Sequence, residues 1–124
     1  MDPLTLWART RLVVWPERYA LESLPRDARP PVPHPSGFFA VVAERDELSV
    51  TRPDPSGPYR VITFDIDLDP SVCGFFAPAA ARLADAGVAI VPQCAFKKDH
   101  VLVRAEDLDR AVAALESLIR EAAS

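Results

Sequence analysis

The stretch Arg60 to Leu68 (RVITFDIDL) alternates: Ile62, Phe64, Ile66 and Leu68 fall on one side, Thr63, Asp65 and Asp67 on the other. Successive strand side chains point to opposite faces, so this pattern predicts a half-buried strand with one face on a core. The residues after it narrow the fold further. Asp69-Pro70 has the form of a helix cap followed by proline at the first helical position. Val72, Phe75, Phe76, Ala79 and Leu83 then recur at helical spacing as one apolar stripe, and Gly87 stands where that helix should end. Val88 to Phe96 and His100 to Arg104 read as two strands joined by the charged turn Lys97-Lys98-Asp99. Glu106 and Asp107 suit the first turn of a last helix, where carboxylates meet the positive end of its dipole. Leu108, Val112, Leu115 and Ile119 give that helix its apolar face. The order is β-α-β-β-α, one strand short of the ferredoxin-like β-α-β-β-α-β unit. The expected closing strand comes from the first half of the chain, which makes the two halves intertwined.

Two proline-rich stretches punctuate the first half, Pro25 to Gly37 and Pro53 to Pro58. Proline fixes φ and removes a donor, so both are expected as ordered loops. The second divides the chain into residues 1–56, mostly strands, and 57–124, the β-α-β-β-α unit. Within 1–56, Leu12 to Trp15 is a short apolar run broken by Pro16-Glu17, and Tyr19 to Leu24 resumes it. Phe38 to Ala43 and Glu47 to Arg52 flank the polar turn Glu44-Arg45-Asp46 and predict a hairpin, with Leu48 and Val50 inward.

Charge excludes one class of partner. With 14 basic against 18 acidic residues the net charge is -4, whereas a nucleic-acid binder needs a basic face to displace phosphate counterions. No apolar run approaches the roughly 20 residues that cross a bilayer, so no membrane partner is expected. Cys73 and Cys94 match no metal-ligand spacing and make no disulfide framework; they read as buried small apolar side chains of a cytoplasmic protein.

The segment Asp67 to Leu115 resembles the C-terminal module of short double-ACT proteins, a family that includes bacterial proteins and, at a distance, the cytosolic arginine sensors of animals. The resemblance rests on Gly74, on Leu83-Ala84-Asp85-Ala86-Gly87-Val88, and on Cys94-Ala95-Phe96-Lys97-Lys98-Asp99-His100-Val101-Leu102-Val103. Tyr19-Ala20-Leu21, Phe38-Phe39 and Asp46-Glu47-Leu48-Ser49-Val50 extend it through the first half. Ala95 stands where the family pattern has a hydroxyl, and His100 where it has an aromatic ring. The resemblance implies an α/β (α+β) fold of two ferredoxin-like ACT-type halves, antiparallel sheets with helices packed on one face. It implies a regulatory protein, not an enzyme, that binds a small molecule, an amino acid, at the interface between ACT modules. It places the ligand against Ser49, Val50, Cys73, Gly74, Phe75, Ala95, Phe96 and Asp99. The chemistry is coherent: backbone N–H groups where a helix opens suit a carboxylate, and a strand-end carboxylate such as Asp99 pairs an ammonium or guanidinium. ACT sheets often extend edge to edge, so a homodimer is expected.

Other readings compete with this one. A ligand-free interaction or dimerisation module is the alternative. Asp65 and Asp67, about 7 Å apart on one strand face, resemble the paired aspartates of haloacid-dehalogenase-like phosphotransferases, but the glycine or threonine expected after the pair is missing. A Mg-dependent enzyme is the least favoured reading, and a solvated acidic face the favoured one. His34, flanked by prolines, has only His100 for company, so no metal and no cofactor is expected. A Cys94–His100 nucleophilic pair lacks an orienting third group. Trp7 and Trp15 read as packing residues.

Overall fold

The computed structural model describes residues 2–33 and 35–124. His34, considered above as a ligand, lies outside the described residues. The chain opens on a helix the sequence pattern did not announce, α1 (Pro3–Ala8), capped by Asp2, whose Oδ1 accepts from Leu4 N at 2.9 Å. Strands β1 (Arg11–Val14), β2 (Tyr19–Leu24), β3 (Ala40–Ala43), β4 (Leu48–Pro53) and β5 (Tyr59–Asp65) come next. Helix α2 (Phe76–Asp85), strands β6 (Ile90–Cys94) and β7 (Asp99–Arg104), a 3-10 turn (Ala105–Asp107) and helix α3 (Leu108–Ala123) complete the order.

All pairs are antiparallel, and one sheet runs β3-β4-β2-β5-β7-β6. Beside β5, the place of a closing ferredoxin-like strand is held by β1, with Arg11 to Val14 set against Asp65 to Ile62. β2 shares that edge only at Tyr19, opposite Tyr59, and otherwise pairs with β4. The break falls at Pro16-Glu17. There the chain swings from one partner to the other, and the sheet curls.

The helices cover one face. Ile62, Phe64, Val101 and Val103 pack with Trp7, Ala79, Leu83, Ala111, Leu115 and Leu118. Each large side chain so buried contributes about 1.5–3 kcal/mol. Trp7 is the central piece of this layer: fully buried, stacked on Phe75 at 4.5 Å and set edge-on to Phe64 at 5.0 Å, with its indole N–H donating to Phe75 O at 2.7 Å. Gly87, at φ +73, ends α2 with the hydrogen bonds Val88 N to Leu83 O and Gly87 N to Ala84 O, the paired closure that positive φ permits.

Three expectations are corrected. The β5 strand is not half-buried: Val61, Ile62, Thr63 and Phe64 are all buried, because the curl brings Trp15, Tyr19 and Phe38 over the second face. Helix α2 starts at Phe76, not at Pro70. Asp69 instead caps its own turn, accepting from Ser71 N at 2.9 Å and Ser71 Oγ at 2.6 Å. Cys73 and Cys94 are exposed, not buried.

Because β1 and Trp7 complete the sheet and core of the second half, a fragment of residues 57–124 is expected to lack a cooperative thermal transition. Circular dichroism and sedimentation of that fragment check this. A folded monomer melting like the full chain would show the halves to be separable.

Candidate functional site

Two elements meet beyond the start of α2. One is the loop from Leu68 to Phe75; the other is the β6–β7 turn. Leu68 N donates to Lys97 O at 2.7 Å, tying the loop to the turn, and Ala95 N donates to Lys98 O at 2.9 Å, closing the turn itself. Between them lies a groove of about 490 Å³. Gly74, Phe75, Ala95, Phe96 and Asp99 line it, joined by Asp69, Cys94 and Lys97. No side chain caps α2, so the N–H groups of Phe76 and Ala77 open on this space, while Pro78 has none to offer.

The structure therefore brings five of the eight expected ligand residues to one groove, built wholly from residues 68–99. Cys73 lies exposed on the same loop, outside the groove wall. Ser49 sits on β4 at a second groove, between the β3–β4 hairpin and β6. Val50 is fully buried on β4. Gly74 is required for its backbone: φ is +83, whereas an added Cβ would meet only ordinary contact, Pro3 Cγ at 3.6 Å.

Charge is distributed unevenly. Lys98 leaves the groove and pairs with Asp65 at 3.2 Å and with Asp67 in a closer contact; Arg11 reaches Asp65 at 3.8 Å. The lysine holds Asp67 below the usual carboxylate range, and the two aspartates hold Lys98 above its own. An ammonium thus occupies the position between Asp65 and Asp67 that a catalytic cation would need. Among the described residues no cluster of three or more His, Cys, Asp or Glu is arranged to hold a metal. Lys97, Asp69 and Asp99 remain at the groove, one positive charge and two negative.

Cys94 and Asp99 are directly opposed across β6 and β7. Although the residue as a whole is exposed, partial desolvation of its sulfur, and secondarily a hydrogen bond to the Asp99 carboxylate, push the Cys94 thiol up to about 11, the opposite of nucleophile activation. His100 does not face it as a base. The His100 Nδ1 lies 2.7 Å from Thr63 Oγ1, which also receives the Trp15 indole N–H at 2.7 Å, and the ring tilts against Phe38 at 4.8 Å. Sequence reasoning missed this arrangement. Thr63 and His100 stand 37 residues apart, and no short window of sequence contains both.

Burial lowers the His100 pKa below its ordinary 6.5. The unfolded chain takes up this proton as pH falls through about 6.5 while the folded one does not, so stability is full above that pH and declines below it. Urea titrations across pH 5 to 8 should show this decline. His100→Gln should flatten it; an unchanged slope in the variant would remove His100 as its source.

Comparison with known proteins adds a lineage. A family profile described as an ACT domain matches residues 56–117. A crystal structure of an Agobacterium tumefaciens protein superposes with a TM-score of 0.73 at 22% identity, covering 89% of each chain. A Vibrio cholerae protein of unknown function, described as a possible transport protein, gives 0.69 at 18% identity over 91% of this chain and 93% of its own. At these identities the likeness is one of fold. No curated protein matches in sequence.

Proposed function

The chain belongs to the ACT-domain family, and from that premise we propose that it is a regulatory protein whose small ligand, an amino acid, binds in the groove between the start of α2 and the β6–β7 turn. One observation carries the reading: the groove offers both signs of charge, Lys97 and the uncapped start of α2 beside Asp69 and Asp99, as a zwitterion requires. The uncapped N–H groups of Phe76 and Ala77, with Lys97, suit an α-carboxylate. Asp99 suits the α-ammonium. Phe96, 79% exposed at the turn, supplies an apolar wall that a bound side chain would cover.

The role is regulatory rather than catalytic. The thiol is held protonated, the paired aspartates are engaged by Lys98, and the matching family profile is described as an ACT domain. Binding would act by favouring one arrangement of the chain, or of its assembly, over another. No described helix is long and apolar enough to cross a membrane, and the cytoplasm is the proposed compartment.

Thermal unfolding with each natural amino acid tests the site. A ligand at 100-fold over its dissociation constant stabilises by about 2.7 kcal/mol, a shift of several degrees. At least one amino acid should produce it, and Asp99→Ala should remove it. A panel without any shift, or a shift untouched by Asp99→Ala, would count against the groove.

The second reading, assembly without a ligand, draws on the free edges of the sheet: β3 and β6 each pair on one side only. A homodimer is proposed through such an edge. Sedimentation equilibrium at micromolar concentration should give twice the mass of the 124-residue chain; a monomer at all concentrations would refute the dimer.

A further inference from the structure

We infer that the second groove, between the β3–β4 hairpin and β6, is a separate binding site for a small amine with an apolar body. The groove measures about 590 Å³, within the range of small-molecule sites. Phe38 and Val41 wall one side, and Val91 and Pro92 the other. Its size and apolar walls suit an organic body rather than a bare ion.

The polar groups at the groove are specific. The registers of β5, β7 and β6 set Thr63, His100 and Gln93 side by side across the sheet, and directly opposed residues share a face. An indole N–H only donates, so Thr63 Oγ1 accepts from Trp15, and its remaining lone pair or its own proton meets His100 Nδ1. The other ring nitrogen, Nε2, belongs to a side chain 8% exposed that lines the groove, and by tautomer it offers an occupant a donor or an acceptor. Gln93 Nε2 donates to Thr51 Oγ1 at 2.6 Å, while its Oε1 is buried with no partner. A buried acceptor left unpaired is costly, and a turn of the Gln93 side chain towards the groove would let it accept from an amine N–H.

Charge selects the amine. Glu44, Asp46 and Glu47 line one end of the groove, and no lysine or arginine lines it. Glu47 Oε1 accepts from Ser23 Oγ at 2.5 Å. An ammonium near this rim is attracted, and a carboxylate is repelled. The first groove, with its lysine and helix terminus, has the opposite preference at one wall. The two grooves share only Cys94 and Ala95.

The test is an NMR titration of the full chain with phenethylamine and isoamylamine, against 3-phenylpropionate as the matched acid. The amines should shift the Gln93 side-chain amide and the His100 ring signals to saturation; the acid should not. Gln93→Leu should weaken amine binding. The double variant Glu44→Gln, Asp46→Asn, both at exposed positions, should weaken it about five- to tenfold and stays informative if Gln93→Leu fails to fold. Asp99→Ala should leave it unchanged, which separates this site from the amino-acid groove. The inference is overturned if the amines leave those signals unmoved, if amine and acid bind alike, or if Asp99→Ala abolishes the shifts.

Discussion

The pairing of β1 with β5 is the contact from which the rest of the molecule is built. It brings residues from the start of the chain against the strand that begins the second half, and it delivers α1 to the helical face, where Trp7 fills the core. The Trp7 ring lies parallel to Phe75 and its N–H ends on the Phe75 carbonyl. Phe75 is the residue from which α2 departs. A strand pairing at one end of the sequence thus sets the start of a helix some sixty residues later, and with it one wall of the first groove. Gly74 completes the turn, because only a residue free of a Cβ takes φ +83 without strain.

The second groove has a different origin. At Pro16-Glu17 the edge of β5 passes from β1 to β2, and the sheet curls. The corner is held by polar contacts. Arg60 Nη2 donates to Trp15 O at 2.9 Å, and the Tyr19 hydroxyl donates to Glu17 Oε1 at 2.9 Å while accepting from Phe38 N at 3.0 Å. Burial pushes that phenol up to about 12, so it remains a neutral donor and acceptor under all ordinary conditions. The curl carries the β3–β4 hairpin round towards β6, and Gln93 of β6 hydrogen-bonds Thr51 of β4 across the gap. The two grooves then lie against one hairpin with different charge: one holds a lysine and a helix terminus beside two carboxylates, the other three carboxylates.

Much of this was legible in the residues. The presence of a strand from Arg60, the Gly87 closure and the Phe38 to Arg52 hairpin all depend on local geometry, and local geometry is written in short windows of sequence. The misreadings were tertiary. Asp69-Pro70 has the form of a helix start, but Asp69 commits its carboxylate to Ser71, and the loop runs on to Phe76. Val61 and Thr63 looked solvent-facing because nothing nearby in sequence announces that Trp15, Tyr19 and Phe38 lie over them. Ser49 and Val50 share the family pattern with Gly74 and Asp99, yet β4 lies at the far side of the curl from the first groove, with Val50 turned into the core.

The sequence alone determined the strands, the two longer helices and the loop and turn that carry Gly74, Phe96 and Asp99, because periodicity, capping and turn chemistry act between neighbours. Only the tertiary structure decided which lysine lines the first groove. Lys97 and Lys98 are alike in sequence, but the end of β5 and the chain just after it set Asp65 and Asp67 in ion pairs with Lys98. That choice, like the meeting of Thr63, His100 and Gln93, is made by pairing between distant strands.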